Sequence, residues 1–404
     1  FYVCPVCSPT RAEFLTGRYH PRGGVRGVSE GGERLDLDER TIADAFQAAG
    51  YATGAFGKWH NGSQWPYHPL ARGFDEYFGH TSGHWGEYFD PPLEDSSRER
   101  GGRMVKTKGY IVDVCTDRAI DFIERNRDRP FFCYAPFTTP HSPWAAPEED
   151  WQRWKSGRIR QLGIQDEAEN IDETRCVLAM IENQDRNVGR VLKKLDELGL
   201  KNNTIVVYFS DNGPNTARFN GGMRGKKGST DEGGVRSPLF IRWPRGISPH
   251  TTVTQIAGAI DLLPTLTSLA SIELVGDEQL DGFDLSPLLF NLNVNWPERE
   301  LFSHWAGKTS VRTQQYRLDH RGRLYDLTKD PGQWNDIAAE QPEIAAQLSL
   351  AVTQWQKDML SESSATGFAS AKARNTGRAS GTRDDRPFPV GYTEFPWTPL
   401  PARD

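Results

Sequence analysis

The sequence lacks long apolar runs and basic blocks. No run of about 18 apolar residues occurs, so nothing predicts a transmembrane helix. Lys and Arg number 48 against 54 Asp and Glu, and the resulting net charge of -6 argues against a general nucleic-acid binder. With 37% hydrophobic and 25% charged residues, the composition is that of a soluble globular protein.

Cysteine is scarce, since five in 404 residues do not make a disulfide scaffold. Cys4 and Cys7 form a C-x-x-C pair, which can be half of a zinc site or a redox pair. The other cysteines, Cys115, Cys133 and Cys176, are scattered, and no second C-x-x-C exists. A zinc-binding module therefore stays open as one interpretation of the pair.

An initiator methionine and a signal peptide are also missing from the sequence. The chain opens with Phe1, Tyr2 and Val3, and we expect it to be a fragment without its N-terminal part. The absence of a targeting segment is therefore uninformative.

What is present is an alternation of strand-like and helix-like stretches. Strands are predicted near 51–56, 130–137, 204–209 and 239–243, and helices near 42–49, 111–125, 173–198 and 255–269, with a loop-rich region at 61–107. This order predicts an α/β fold in which a mostly parallel mixed sheet is sandwiched by helices.

The pattern of predicted secondary structure changes near residue 295. Short antiparallel strands and a helix over about 342–359 predict a smaller C-terminal α+β subdomain. We therefore expect a catalytic domain over 1–295 and a C-terminal subdomain over 296–404, which includes an exposed loop at 361–384 and a Pro-rich tail.

A cysteine lies at a predicted helix entrance. Ser8 is a favourable N-cap, Pro9 suits the first helical position, and Gly17 suits the left-handed residue that ends a helix. Cys7 would then face the free N–H groups at the positive end of the helix, where anions bind. Arg11 follows one turn later and adds a positive charge on a similar face.

Reactive side chains follow several predicted strands. Lys58 and His60 come after the first, His141 after the next, and Asp211 with Asn212 after a third. Because ligands bind beyond the carboxyl ends of strands in such sheets, we expect one shared site. Each motif alone also fits an ordinary turn or a solvated loop, so the prediction depends on their combination.

These motifs resemble those of the type I, formylglycine-dependent sulfatases of the alkaline-phosphatase-like superfamily. The matching stretches are Cys-x-Pro-x-Arg at 7–11, Leu-Thr-Gly-Arg at 15–18, Gly-Lys-Trp-His at 57–60, Ser-Asp-Asn-Gly at 210–213 and Glu-Gly-Gly at 232–234 with Lys227. The resemblance implies hydrolysis of sulfate esters, of a sulfated carbohydrate or an aryl sulfate. It also implies a secreted or periplasmic location.

The resemblance implies a role for each matched residue. Cys7 would be oxidised to formylglycine (3-oxoalanine) by a formylglycine-generating enzyme, and a hydroxyl of the hydrated aldehyde would attack sulfur. Arg11 and Lys58 would hold this group and His60 would be the base. His141 and Lys227 would bind sulfate and assist departure of the leaving group.

The resemblance also implies a divalent metal, with Ca²⁺ favoured over Mg²⁺. Asp211, Asn212 and the modified Cys7 would be ligands, and oxygen ligands suit both ions. In this family two adjacent aspartates on a first strand complete the metal site, and nothing before Phe1 supplies them. We therefore expect the chain as given to bind metal poorly and to hydrolyse little.

Two alternatives to a sulfatase stay open at this point. One keeps the fold but hydrolyses a phosphodiester or phosphonate, and the other is a non-catalytic protein in which Cys7 remains a thiol. Substrate subsites are predicted only loosely, from polar and aromatic residues in the loops: His84, Trp85, Asn215 and Arg218.

Overall fold

The computed structural model describes residues 1–159, 163, 168–292 and 294–364. The strands are β1 (Ala52–Lys58), β2 (Glu76–His80), β3 (Pro92–Ser97), β4 (Gly101–Lys106), β5 (Phe131–Tyr134), β6 (Val206–Phe209), β7 (Leu239–Arg242), β8 (Leu301–Trp305), β9 (Lys308–Arg312), β10 (Tyr316–Leu318) and β11 (Leu324–Asp326). The helices are α1 (Cys7–Thr16), α2 (Ile42–Ala48), α3 (Ile111–Arg125), α4 (Glu148–Trp154), α5 (Ile171–Glu197), α6 (Glu232–Val235), α7 (Leu262–Ala270), α8 (Ser286–Leu289) and α9 (Pro342–Ser364).

Strand β1 is the inner strand on which the main sheet is built. The five-stranded sheet has the order β4-β3-β2-β1-β5, with β1 parallel to both β2 and β5 and with β3 and β4 antiparallel. Every residue of β1 is buried, as is usual for a parallel strand that is covered on both faces. The carboxyl end of β1 therefore delivers Lys58 to an interior position.

Apolar clusters cover the two faces of the main sheet. Ala55 of β1 packs with Leu15 of α1 in one cluster, which also includes residues of α2 and α7. Its neighbour Phe56 packs with Phe122 of α3 and Met180 of α5 in the other. Successive side chains of a strand point to opposite faces, so β1 lies between two helical layers. The predicted mixed α/β sheet between helices is confirmed.

A second sheet consists of β6 and the antiparallel β7. An elongated cavity of about 1250 Å³ is lined by both β5 and β6, with apolar side chains of α5 along it. Within the described residues, β5 pairs with β1 and β6 pairs with β7, and neither strand has a second strand partner. The loops that follow β5 and β6 line the same cavity and carry the polar motifs.

The C-terminal region contains an antiparallel sheet of order β11-β10-β9-β8. Helix α9 packs against it through Leu348, which contacts a cluster with Val311, Leu318 and Leu324. Trp355 of α9 lies edge-on to Tyr19 at 5.2 Å between ring centroids, which joins this region to the end of α1. The division of the chain at residues 295 and 296 stays a prediction.

Two local predictions are wrong. The helix expected from residue 255 begins at Leu262 after a 3-10 turn, because the main chain before it pairs with the N-terminal segment: Tyr2 N donates to Ala257 O at 2.8 Å, and Ala259 N donates to Tyr2 O at 2.9 Å. The region 61–107 is also less irregular than expected, since it contains β2, β3 and β4.

The expected loop at 361–384 starts inside α9, which ends at Ser364. The rest of that loop and the Pro-rich tail lie outside the described residues. Among the helices in the described part of the chain, none has both the length and the apolar character needed to cross a bilayer.

Candidate active site

Cys7 is the first residue of α1 and is 2% exposed. The N-cap position is Val6, which has extended backbone angles and no side-chain cap, so the prediction of Ser8 as the N-cap is wrong. Ser8 lies in the first turn instead, where its hydroxyl accepts from Asn61 Nδ2 at 3.3 Å. Gly17 ends the helix in the left-handed conformation, with φ of 67°, as predicted. The uncapped N–H groups beside Cys7 leave room for an anion.

Arg11 connects the ends of two strands. Its Nη1 donates to the carbonyl oxygen of Lys58 at 2.7 Å, and its Nη2 pairs with Asp211 Oδ2 at 3.1 Å. The Arg11 side chain is 7% exposed and that of Asp211 is 29% exposed, so the ion pair is shielded from water mainly on the arginine side. Arg11 thereby fixes the carboxyl ends of β1 and β6 relative to α1.

Lys58 is a buried cation, 1% exposed, with no carboxylate partner among the described residues. Burial lowers the pKa of Lys58, and the charges of Arg11 and Lys227 lower it further, while Cys7 and Asp211 act in the opposite direction. These groups are therefore close enough to influence one another. An anion bound among them would restore the charge balance.

His60 is held in one orientation by its neighbours. Its Nε2 lies 2.8 Å from the carbonyl oxygen of Val28 and donates to it in the neutral ring, while Nδ1 is buried and has no partner. Burial, followed by the charge of Lys58, lowers the pKa of His60 to about 3. Gly83 lies against the ring, because a Cβ at that position would be 2.1 Å from His60 Nε2.

His141 lies on the loop after β5, with Nδ1 2.7 Å from the carbonyl oxygen of Ser142. Tyr88 fixes this loop by donating its hydroxyl to His141 O at 2.8 Å. Burial lowers the pKa of His141 to about 4, and the charges of Lys227 and Lys58 contribute. The ring of His84 lies between the two predicted catalytic histidines, 5.0 Å from His141 and 6.5 Å from His60.

Asp211 and Asn212 follow β6 and present oxygen atoms to the site. Burial acts to raise the pKa of Asp211, but Arg11, Lys58 and Lys227 outweigh it and hold the pKa below its ordinary value. The Oδ1 of Asn212 is buried without a partner, whereas its Nδ2 donates to Gly213 O at 2.8 Å. A carboxylate with an orphaned amide oxygen fits a hard divalent cation such as Ca²⁺ or Mg²⁺.

The Gly-rich loop that carries Lys227 is held by backbone hydrogen bonds to both sides of the site. Lys227 N donates to Pro214 O at 2.8 Å, and Gly228 N donates to Pro5 O at 2.9 Å. These bonds tie the loop to the segment after β6 and to the segment before Cys7. Lys227 thus belongs to the same charge cluster as Lys58, His84 and His141.

The predicted subsite residues separate into two groups. Asn215 and Arg218 line the cavity, together with Trp144, which the sequence interpretation missed. Trp85 instead stacks on His80 at 5.0 Å. Trp144 lies three positions after His141, and that spacing from a motif histidine was the only signal in the sequence that could have identified it.

Cys4 and Cys7 do not form a common metal site. Within the described residues, the group with metal-ligand spacing contains Cys4, Glu13 and His20, and Cys7 is absent from it. Both ring nitrogens of His20 are already near carbonyl oxygens, at 2.7 Å and 3.2 Å, so neither is free to bind a metal. The zinc interpretation of the C-x-x-C pair is not supported.

Comparisons with known proteins match most of the chain. The family model described as "Sulfatase" matches residues 1–272, and the one described as "N-sulphoglucosamine sulphohydrolase, C-terminal" matches residues 226–358. The chain is 30% identical over 342 residues to the uncharacterized sulfatase YdeN of Escherichia coli, which covers 76% of this chain and 58% of that protein. It is 31% identical over 439 residues to human arylsulfatase A, at 87% and 81% coverage.

The chain spans about 60% of the length of the first relatives that it matches, which include mouse steryl-sulfatase at 60%. Among solved structures, Ps i-CgsB in complex with k-i-k-neocarrahexaose aligns with a TM-score of 0.76 at 26% identity, covering 88% of this chain and 84% of that one. A phosphonate monoester hydrolase from Silicibacter pomeroyi aligns with a TM-score of 0.63 at 18% identity and 88% and 86% coverage, which is a likeness of fold alone.

Proposed function

Because the chain belongs to the sulfatase family, we propose that it hydrolyses sulfate esters and that Cys7 is the position of its nucleophile. The observation that carries this proposal is the surroundings of Cys7. It is buried at the N-terminus of α1 and acts electrostatically on both Arg11 and Lys58, and these two cations line a cavity together with Lys227. Among the described charges that act on Lys58, Asp211 is the one carboxylate beside the cations Arg11 and Lys227, so an anionic substrate is favoured there.

Cys7 would act after conversion to formylglycine, whose hydrated form supplies a hydroxyl nucleophile. The Cys7 thiol stands in here for the oxygen atoms of that group. His60 is suited to be the base, because the Nε2–H bond to Val28 leaves the lone pair on the unpartnered Nδ1. Since the pKa of His60 is lowered to about 3 by burial and by Lys58, the ring is neutral near neutral pH, and a bound sulfate anion would raise this pKa and make the ring a stronger base.

His141 would donate a proton to the leaving oxygen, and Lys227 would neutralise sulfate charge. With a pKa of about 4, His141 is neutral in the free protein near neutral pH. A bound sulfate anion favours the protonated ring and raises this pKa, so substrate binding would itself prepare the acid. Lys58 would hold the nucleophile from the strand side.

Asp211 and Asn212 would hold the divalent cation through their side-chain oxygens. The orphaned Oδ1 of Asn212 supports this assignment, and oxygen-rich sites favour Ca²⁺ or Mg²⁺. A bound cation would supply charge neutralisation at the sulfate and lower the pKa of the nucleophile. Arg11 orients the Asp211 carboxylate, because its Nη2 lies 3.1 Å from Asp211 Oδ2.

Two measurements test the proposed function together. In a host that has a formylglycine-generating enzyme, intact-mass analysis of the peptide containing Cys7 should show a loss of about 18 Da. Sulfate release from 4-nitrophenyl sulfate should accompany it and should vanish in Cys7→Ala. An unmodified thiol in an otherwise competent host, with no sulfate release, would contradict the proposal and favour the non-catalytic alternative.

The phosphodiester or phosphonate alternative is tested with matched aryl substrates. The ratio of kcat/KM for 4-nitrophenyl sulfate and an aryl phosphodiester should favour the sulfate. A ratio that favours the phosphodiester would overturn the sulfatase assignment while leaving the fold unaffected. A sulfated glycan as the natural substrate, and a secreted or periplasmic location, belong to the same proposal.

A further inference from the structure

Arg218 lacks the carboxylate partner that most other buried arginines in the described part of the chain have. Most of those at or below 9% exposure pair with a carboxylate: Arg11 with Asp211, Arg299 with Asp261, and Arg312 and Arg317 with Glu232. Arg218 is 9% exposed and pairs with no carboxylate within the described residues. Its Nε is buried and has no hydrogen-bond partner in the part of the chain that the structure describes.

The neighbours of Arg218 hold its side chain without forming a direct ion pair with it. Its Nη2 donates to Thr216 Oγ1, and its Cζ lies over the ring of Trp144 at 5.5 Å from the centroid. Glu169 and Glu173 are within electrostatic reach and favour the charged guanidinium, but neither forms an ion pair with Arg218 within the described residues. Burial is the main influence on the pKa of Arg218 and lowers it.

The position of Arg218 relates it to the sulfate-binding groups. It lines the same cavity as Lys227 and His141. Trp144, which lies under the guanidinium, belongs to the loop that carries His141. An anion that reaches Arg218 would therefore share the cavity with the sulfate that is cleaved.

We propose that Arg218 binds a second anionic group of the substrate, a carboxylate or another sulfate on the same molecule. A guanidinium presents a planar set of donors that matches either group in a bidentate manner, and the unpartnered Nε is one of these donors. The proposal rests on the proposed sulfatase function and narrows its substrate class to sulfated sugars with more than one negative charge.

The test compares substrates that differ in their second anion. The matured full-length protein is assayed on a monosulfated N-acetylhexosamine, a disulfated N-acetylhexosamine and a monosulfated disaccharide with a uronic acid. We expect kcat/KM to be higher for at least one dianionic substrate, and the better of the two identifies sulfate or carboxylate as the group bound. This comparison needs no variant.

The variant Arg218→Gln should then lower the ratio of dianionic to monosulfated kcat/KM by about tenfold to a hundredfold, because it removes charged hydrogen bonds. Arg218→Lys, which keeps the charge but not the planar donors, should restore part of the ratio. Arg245→Gln, at an exposed arginine outside the cavity lining, is the matched control and should leave the ratio unchanged.

Equal kcat/KM for all three sugars in the unaltered protein would overturn the inference about Arg218. Equal ratios in Arg218→Gln and Arg245→Gln would also overturn it. In both cases the proposed sulfatase function stands, provided that 4-nitrophenyl sulfate is cleaved. Absence of sulfate release from every substrate would overturn the proposed function instead. Calorimetric binding of the same sugars to Cys7→Ala, with and without Arg218→Gln, then decides the Arg218 inference independently: weaker dianion binding supports it, and unchanged binding overturns it.

Discussion

The carboxylate of Glu232 lies 2.8 Å from Nε of Arg317, and both side chains are inaccessible to water. Glu232 opens the short helix α6 after the Gly-rich loop, whereas Arg317 belongs to β10 of the C-terminal sheet. The same guanidinium donates to Thr230 O at 2.7 Å. A buried ion pair therefore anchors the loop of Lys227 to the C-terminal region.

Replacing Glu232 by Gln should strongly destabilise the protein. The change leaves Arg317 buried without its counter-charge, and breaking such a pair costs about 3–5 kcal/mol of unfolding free energy. Urea unfolding followed by tryptophan fluorescence measures it. Arg236→Gln is the control, because Arg236 also lies near Glu232, at 3.7 Å, but is 49% exposed, and it should cost less than about 1 kcal/mol. Equal losses in the two variants would refute this account.

Replacing Gly83 by Ala should lower activity through His60. The new methyl group overlaps the imidazole, which must turn and lose its bond to Val28 O. A displacement of about 1 Å at a catalytic group can reduce kcat by about a hundredfold. Gly86→Ala on the same loop meets no atom within 4 Å and should retain activity. If Gly83→Ala has the same kcat as the wild type, the position of the His60 ring does not affect catalysis.

The stability of Glu13→Gln should depend on pH in a defined direction. Burial raises the pKa of Glu13 to about 8 in the folded protein, from 4.5, so the folded state prefers the neutral carboxyl. That contribution is fully present below pH 4.5 and is lost as the pH rises towards 8. Gln cannot ionise, so the variant should gain stability relative to the wild type between pH 5 and pH 8, as measured by urea midpoints.

Glu124→Gln, at an exposed helix position, serves as the control for the Glu13 experiment and should show no such trend. A constant difference between Glu13→Gln and the wild type across this pH range would mean that Glu13 is ionised in the folded protein.

The stabilisation of the protein by Ca²⁺ should depend on the side chain of Asn212. If its Oδ1 binds the cation, adding Ca²⁺ to the chelator-treated full-length protein should raise the thermal unfolding midpoint, because a ligand that binds the folded state stabilises it. The isosteric change Asn212→Leu should shrink this shift. Asn215→Leu, on the same loop, should not. Identical Ca²⁺ responses in all three proteins would rule out Asn212 as a ligand.

The sequence predicted the positions of the polar motifs at strand ends better than the structure of the intervening loops. Lys58 and His141 follow β1 and β5, neighbouring parallel strands of the main sheet, so their proximity followed from the strand order. Asp211 follows β6 of the second sheet and is joined to the end of β1 by Arg11. The helix at 111–125 was predicted at its observed bounds, because its amphipathic pattern is local.

The errors have tertiary causes. The hairpin of β3 and β4 exists because β3 pairs with β2, a contact that no local pattern reveals. Gly258 remains extended because Tyr2 pairs with the main chain on either side of it, so the helix begins later than predicted. The contact between Trp144 and Arg218 joins two loops that are distant in sequence, so only the fold identifies it.

The backbone bonds of Lys227 and Gly228 have a consequence for amide hydrogen exchange. The amide hydrogen of Lys227 is bonded to Pro214 O and that of Gly228 is bonded to Pro5 O, and these two prolines lie in separate parts of the chain. Each hydrogen can exchange with solvent only when the loop detaches from those segments. The exchange rates of these two amides therefore report how often the walls around Cys7 come apart.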